Sequence, residues 1–276
     1  MKIIINGNNL ELHDITNFIL SETLDCGQAF RWQECGDNIW QGVAFGRYLK
    51  IGSNNGVITL FDTTKEDFEL IWKDYFDLER DYAKILSVLS QNEVLKTAGE
   101  FACGIRILRQ EPWEALCSFI ISQNNNIPRI KGIIDRLCQN FGEQIVDGVY
   151  SFPTAEKIAS LSLEDLAILK SGFRAKYILD AAKKVASREI VLDKLKDMPL
   201  DTAREELVKI YGVGEKVADC TLLFGLSHID AFPKDVWIKR AVEKLFDGVL
   251  PECAIQYAGI AQQYIFHYAR MTKLDI

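Results

Sequence analysis

Two hydrophobic periods divide the chain. Up to about residue 62 the apolar residues fall in short aromatic and β-branched runs: Gln28-Ala-Phe-Arg-Trp-Gln33, Ile39-Trp-Gln-Gly-Val-Ala-Phe45, Arg47-Tyr-Leu-Lys-Ile51 and Val57-Ile-Thr-Leu-Phe61. Such runs suit a pleated, half-buried surface. Turn-forming clusters such as Ser53-Asn-Asn-Gly56 separate them, as hairpins require. Several strands at short intervals predict one antiparallel sheet rather than βαβ units. From Thr64, which reads as an N-cap for a helix through Trp72, the spacing of apolar residues becomes that of helices. Helical patterns cover Tyr82–Leu89, Trp113–Ile121, Ile127–Phe141, Ala175–Ala186, Thr202–Ile210, the stretch after Gly214, Val236–Phe246 and Ala254–Tyr268. The predicted fold class is α+β, with a β-rich N-terminal domain over 1–95 packed on an all-helical domain over 96–276.

One interruption of the helical pattern stands apart. Leu207 and Ile210, then Val217, Cys220, Leu223 and Phe224, keep the helical period, yet Gly212 and Gly214 break what would otherwise be one long helix. Two glycines two apart predict a tight turn needing positive φ, with no side chains to obstruct a close visitor. The turn empties into a helix N-terminus, where unpaired N–H groups and the dipole favour a phosphate. Helix, Gly-x-Gly hairpin, helix is the shape of a sequence-independent clamp for a DNA backbone. Lys216 falls in the first turn of the second helix, away from its apolar stripe. Asp235 directly precedes the next amphipathic helix, where its carboxylate is placed as an N-cap. Taken singly, these residues have plainer readings: a solvated or phosphate-binding lysine, a helix cap, and packing glycines.

Composition narrows the picture. With 276 residues and 48% hydrophobic content, the chain can bury ample core in one large domain or two. Its net charge of −7 argues against a broad basic surface. The first 95 residues carry 8 Lys/Arg against 15 Asp/Glu, whereas the remainder carries 24 of each. DNA contact therefore has to come from local placement of cations and helix termini in the C-terminal two-thirds. Seven cysteines are scattered singly with no Cys-x-x-Cys pair, the pattern of reduced thiols in a cytosolic protein. Only three apolar residues precede polar ones at the N-terminus, and no apolar run approaches a membrane span. A soluble cytoplasmic protein without membrane association is expected.

The segment from Leu207 to Cys220, together with Asp230-Ala-Phe-Pro-Lys-Asp-Val-Trp-Ile-Lys-Arg240, resembles the helix-hairpin-helix/Gly-Pro-Asp superfamily of DNA base-excision glycosylases. Gly212-Val-Gly-Glu-Lys-Val-Ala-Asp-Cys220, with the separate run Cys26-Gly-Gln-Ala-Phe-Arg-Trp32, is similar to its 8-oxoguanine DNA glycosylase branch. The lack of Cys-x-x-Cys sets the chain apart from the branches that carry an iron–sulfur cluster.

The resemblance implies that Lys216 is the nucleophile, capturing C1′ as a covalent imine, and that Asp235 is the essential carboxylate beside the developing positive charge. It implies that the Gly27 carbonyl accepts a hydrogen bond from the N7–H that oxidised guanine has and guanine lacks. Gln262 and Phe266, four apart on one helical face, would bond the Watson–Crick edge and stack on the ring. Cys220 would close the opposite face of that pocket, and Pro233 would join the base-recognition set. Asn124 and Arg129, in Ser122-Gln-Asn-Asn-Asn-Ile-Pro-Arg-Ile130, match residues that enter the gap left by the flipped base and read the orphaned cytosine. Phe173 matches an aromatic wedge that stabilises an unstacked step, and Arg174 a second reader of the orphaned base.

Gly212 and Gly214 would hold a phosphate through hairpin amides, and the carbonyls of Val208, Ile210 and Val213 can coordinate a structural cation. No cofactor is required. Two departures stand out: Tyr211 replaces the family's usual proline, and Trp237 occupies the position of a phosphate-binding histidine. The resemblance thus implies a monomeric, bifunctional glycosylase and AP lyase that flips 8-oxoguanine out of double-stranded DNA. A monofunctional alkyl-base glycosylase, which lacks the lysine, and a catalytically silent DNA-binding module are the alternatives.

Overall fold

The computed structural model describes residues 1–272. Six strands, β1 (Lys2–Asn6), β2 (Asn9–His13), β3 (Trp32–Gly36), β4 (Ile39–Ala44), β5 (Arg47–Asn54) and β6 (Val57–Phe61), form one sheet in the order β1-β2-β6-β5-β4-β3. Every pairing is antiparallel. The register places Leu10 opposite Leu60, Ile51 opposite Leu60 and Trp40 opposite Ile51, so buried side chains line one face.

The expected sheet is present, with two differences. The hairpin of β1 and β2 and the short helix α1 (Leu20–Leu24) lie outside the four strands quoted from the pattern. The expected strand over 28–33 begins only at Trp32. Its first residues bond elsewhere: Gln28 Nε2 donates to the carbonyls of Thr23 and Arg106, and Gln28 Oε1 accepts from Leu108 N–H. A buried carboxamide satisfied in this way holds the segment as a strut between the sheet and the helices rather than as a ladder strand.

Thr64 caps the following helix as expected, its hydroxyl accepting from Asp67 N–H at 3.0 Å. A π-helical turn over Phe68–Trp72 brings Phe68 and Trp72 onto the sheet, where they join Trp32, Tyr75 and Phe76 in an aromatic core. Trp32 Nε1 donates to Tyr75 Oη at 2.7 Å, which satisfies the buried indole.

The principal helices that follow are α2 (Tyr82–Leu89), α3 (Glu93–Phe101), α4 (Pro112–Ser122), α5 (Ile127–Phe141), α6 (Arg174–Ala186), α7 (Leu200–Val208), α8 (Glu215–Leu226), α9 (Val236–Phe246) and α10 (Ala258–Met271). Tyr82, Ile85 and Leu89 already belong to the helical core, so core membership changes near residue 80, ahead of the 95/96 divide. Leu108 returns to the sheet core, while Cys26 and Phe30 reach into the helical one. Helices α4 and α8 pack on each other at the centre, and all residues from Trp113 to Ile121 are buried. The N-terminus of α8 and the C-terminus of α4 emerge from this rigid pair at the surface. That is where the chemistry-bearing residues collect.

Candidate active site and DNA-binding surface

The hairpin is held at its base by charge. Arg204 on α7 donates to the buried Asp219 carboxylate on α8 at 2.6 Å. Desolvation raises the Asp219 pKa, and the Arg204 guanidinium works against that rise. At the tip, Gly212 has φ +81°, and a Cβ there would lie 2.4 Å from the Tyr177 ring. Only glycine fits, on both counts. Gly214 corrects the expectation of positive φ at both glycines: its φ is −101° and ψ 178°, an extended N-cap of α8 with open space where a Cβ would be. Its lack of a side chain leaves the α8 N-terminus open to a close visitor.

Tyr211 is anchored where a proline would have supplied a fixed φ. Its N–H, which proline lacks, donates to Asp180 Oδ2 at 2.8 Å, and its ring meets Tyr177 edge-on at 5.0 Å.

Lys216, in the first turn of α8, and Asp235, the N-cap of α9, line one small cavity of about 60 Å³. The same cavity is lined by Gly27, Cys220, Pro233, Gln262 and Phe266, all of the expected base-recognition set. Larger clefts of about 470 and 640 Å³ lie elsewhere on the surface without Lys216 or Asp235, and a third of about 650 Å³ meets Lys216 beside the hairpin.

The two catalytic candidates are not paired with each other. Lys216 Nζ donates to Ser122 Oγ at 3.2 Å and lies 5.4 Å from the centre of the Phe119 ring. Asp235 Oδ1 accepts from Ile238 N–H at 2.7 Å, the expected cap, while its side chain still borders the cavity. Burial pushes the Cys220 thiol up to about 11, with the Lys216 ammonium opposing, and pushes Cys26 up to about 12. Both thiols are therefore neutral walls at neutral pH, not competing anions or nucleophiles. Gly27 has φ +88°, and a Cβ built on it would lie 3.9 Å from both Phe266 and Ile127, towards the space a base would enter.

The surface around this cavity carries the remaining candidates. Asn124 is exposed in a left-handed conformation at φ +47°, and Arg129 is exposed in the first turn of α5. Asn126 caps that helix, accepting from Arg129 N–H. Phe173, half exposed, packs edge-on against Tyr177 and borders a cleft with Arg129 and Gly172.

Arg174 differs from the expectation of a base-reading side chain. It is 2% exposed, and its guanidinium donates to the carbonyls of Gln123, Asn124 and Ser171. These bonds brace the asparagine loop against α6. Trp237, 52% exposed on the first turn of α9, presents an indole where a basic side chain was the family norm. Lys234 and Lys239 line a cleft with Gly214 and Lys216, supplying cations beside the hairpin.

Sequence reasoning missed Phe119, Ser122, Cys26, Phe224 and Gln263, all of which border the cavity or touch Lys216. Ser122 opened the quoted loop and Cys26 opened the quoted glycine run, so both lay within the motifs. Phe119 and Phe224 stack at 5.2 Å across the α4–α8 contact, which only the fold creates.

Two family models match the chain in succession: the 8-oxoguanine DNA glycosylase N-terminal domain over residues 12–116, and the HhH-GPD superfamily base excision DNA repair protein over residues 117–248. A Saccharomyces cerevisiae N-glycosylase/DNA lyase is 37% identical, the match covering 82% of this chain and 67% of the relative. The chain spans about two thirds of the length of the curated relatives it matches. Among solved structures, MBOgg1 in complex with a low-affinity DNA ligand is 43% identical with a TM-score of 0.93, covering 99% of both chains. The Clostridium acetobutylicum 8-oxoguanine glycosylase/lyase, bound to double-stranded DNA with cytosine opposite 8-oxoG, is 35% identical with a TM-score of 0.92, again covering 99% of each. These matches run along nearly the whole chain, and the chain belongs to the 8-oxoguanine DNA glycosylase branch of the HhH-GPD base-excision repair superfamily.

Proposed function

We infer that this chain excises 8-oxoguanine from double-stranded DNA and then cleaves the strand at the resulting site, in base excision repair. The observation that carries the reading is the single cavity in which Lys216 and Asp235 meet Gly27, Gln262 and Phe266. An amine and a carboxylate alone would serve many reactions. Joined to a stacking ring, a carboxamide and a glycine carbonyl, they suit an extruded purine.

In this reading, Lys216 Nζ attacks C1′ as the bond from C1′ to the base breaks. The base leaves with the bonding electron pair and takes up a proton, and the amine gives up one of its own. Asp235 stabilises the positive charge that develops at C1′. The sugar ring then opens to an imine between Nζ and C1′. Loss of a proton from C2′ expels the 3′-phosphate, which is the lyase step. Asp235 keeps its cap throughout, a role worth about 1 kcal/mol of stability. Hairpin amides at the α8 N-terminus, with Lys234 and Lys239 alongside, hold the backbone while Phe173 props the opened step. A monofunctional alkyl-base reaction would leave Lys216 without a task.

The hairpin carbonyls of Val208, Ile210 and Val213 are neutral oxygen donors, a set compatible with a monovalent cation. Ile210 O already accepts from Val213 N–H and keeps one lone pair for such an ion. A cation there would add positive charge near the phosphate-binding amides; the chemical step itself needs none. The protein acts as a single chain where DNA is found, inside the cell, and no described helix is long and apolar enough to cross a membrane.

The decisive experiment is incubation with an 8-oxoguanine duplex in the presence of borohydride. A covalent protein–DNA adduct is expected, and Lys216→Gln should abolish both adduct and strand cleavage while duplex binding persists. An undiminished adduct in that variant would move the nucleophile elsewhere.

A further inference from the structure

Gln263 is the most conspicuous polar group at the cavity that none of the roles above uses. It follows Gln262 on α10, lines the same cavity, and is 4% exposed against 5% for Gln262. Its Nε2 donates to Gln262 Oε1 at 2.8 Å, and its own Oε1 is buried without a hydrogen-bond partner. Buried carbonyl oxygens are nearly always paired, so an orphan on a side chain that lines a binding cavity calls for a donor brought by the ligand.

The bond between the two carboxamides has a second consequence. A glutamine amide can present either its oxygen or its nitrogen to a ligand, and the two orientations read opposite base edges. With Gln262 Oε1 turned to Gln263, Gln262 Nε2 is left as the donor, and no hydrogen bond among the described residues engages it. The pair therefore offers the Gln262 amide nitrogen as donor and, beside it, the unpaired Gln263 oxygen as acceptor. The Watson–Crick edge of a guanine-type base is the complement: O6 accepts, and N1–H and the 2-amino group donate. An adenine-type edge offers a donor and an acceptor in the reverse places.

We propose that Gln263 is a specificity-determining residue of this pocket: it orients the Gln262 carboxamide and supplies its own carbonyl oxygen to the N–H donors of a 2-amino-6-oxopurine. The proposal rests on the reading that the cavity receives 8-oxoguanine. Gln263 takes no part in bond breaking, so its effect is on which base is held and not on the capture of C1′.

Single-turnover excision and duplex affinity test this with three duplexes: one carrying 8-oxoguanine, one carrying 8-oxoinosine, which lacks the 2-amino group, and one carrying a tetrahydrofuran abasic analogue. The unaltered protein should excise 8-oxoguanine about tenfold or more faster than 8-oxoinosine, the scale of one buried polar group left unpaired. Gln263→Leu, which keeps the volume and removes both polar atoms, should slow 8-oxoguanine excision and collapse that ratio towards one. Its affinity for the abasic duplex should stay within about twofold of the unaltered protein, since that ligand has no base edge to read. A merely structural role would lower all three together.

Gln263→Ala serves if the leucine variant misfolds, and the two-lesion comparison in the unaltered protein needs no variant at all. Equal rates on the two lesions, or a leucine variant that preserves the ratio, would overturn the proposal. Failure of the unaltered protein to excise 8-oxoguanine would instead sink the functional reading on which the proposal rests.

Discussion

Lys216 Nζ donates to Ser122 Oγ at 3.2 Å, and Ser122 Oγ in turn donates to the Phe119 carbonyl at 2.8 Å. The hydroxyl proton is committed to that carbonyl, so the oxygen turns a lone pair to the amine. Amine, hydroxyl and the Phe119 ring are thereby set by the C-terminal turn of α4, while the lysine itself grows from α8. Ser122→Ala should release the amine from this position without disturbing the packed helices. The rate of borohydride trapping is expected to fall about three- to tenfold, the scale of one hydrogen bond to an amine, with duplex affinity unchanged. An unaltered trapping rate would show that Phe119 and the helix alone position Lys216.

The Asp180–Tyr211 bond gives a second test, concerning the hairpin. Asp180 Oδ2 accepts from Tyr211 N–H across the contact between α6 and the turn. Asp180→Ala should loosen the turn at a cost of about 1 kcal/mol, read as weaker binding to undamaged and damaged duplexes alike. The ratio between the two affinities should not move, because a backbone clamp carries no lesion information. A loss confined to the damaged duplex would place Asp180 in lesion reading instead.

The parts of this site that were legible in the sequence are those compressed into short motifs. Gly212, Gly214 and Lys216 share one turn, Asp235 announces itself as a cap, and Gly27 stands at the head of an aromatic run. Local backbone demands leave local traces. Phe119, Phe224 and Gln263 left none, because each sits in an apolar or amphipathic helical pattern that core packing explains equally well. Their relation to Lys216 and Gln262 exists only once α4, α8 and α10 converge. Gln28 misled for a similar reason: a strand pattern holds no hint that a carboxamide will bond to a carbonyl 78 residues away. Arg174 shows what a motif leaves out: its matching position implies a reader of the orphaned base, and only the fold shows that the same guanidinium braces the asparagine loop.

That difference between the two arginines can be measured. Arg129 is exposed, so Arg129→Ala should narrow the preference for excision opposite cytosine over adenine and leave thermal stability nearly unchanged. Arg174→Ala removes a guanidinium that holds Gln123 and Asn124 carbonyls, so it should lower the melting temperature as well as the preference. Differential scanning calorimetry beside single-turnover rates opposite all four bases separates the cases. Equal melting temperatures for the two variants would mean that Arg174 braces nothing.

The last expectation turns on a backbone atom. Gly27 adopts φ +88°, a conformation that costs an L-residue about 1–2 kcal/mol. A Cβ added there meets Phe266 and Ile127 at 3.9 Å, which is ordinary contact, so Gly27→Ala should still fold. What the methyl group takes is the space between the glycine and the Phe266 ring, where a base would stack. If the Gly27 carbonyl also faces N7–H, the same variant tilts the one acceptor that distinguishes 8-oxoguanine from guanine. Excision of 8-oxoguanine should therefore fall sharply while affinity for an abasic-site duplex, which has no base to accommodate, is largely kept. Binding to both duplexes, single-turnover excision and circular dichroism together decide the matter. A parallel loss of both affinities, with an unfolded spectrum, would reduce Gly27 to a turn residue and detach lesion recognition from this segment.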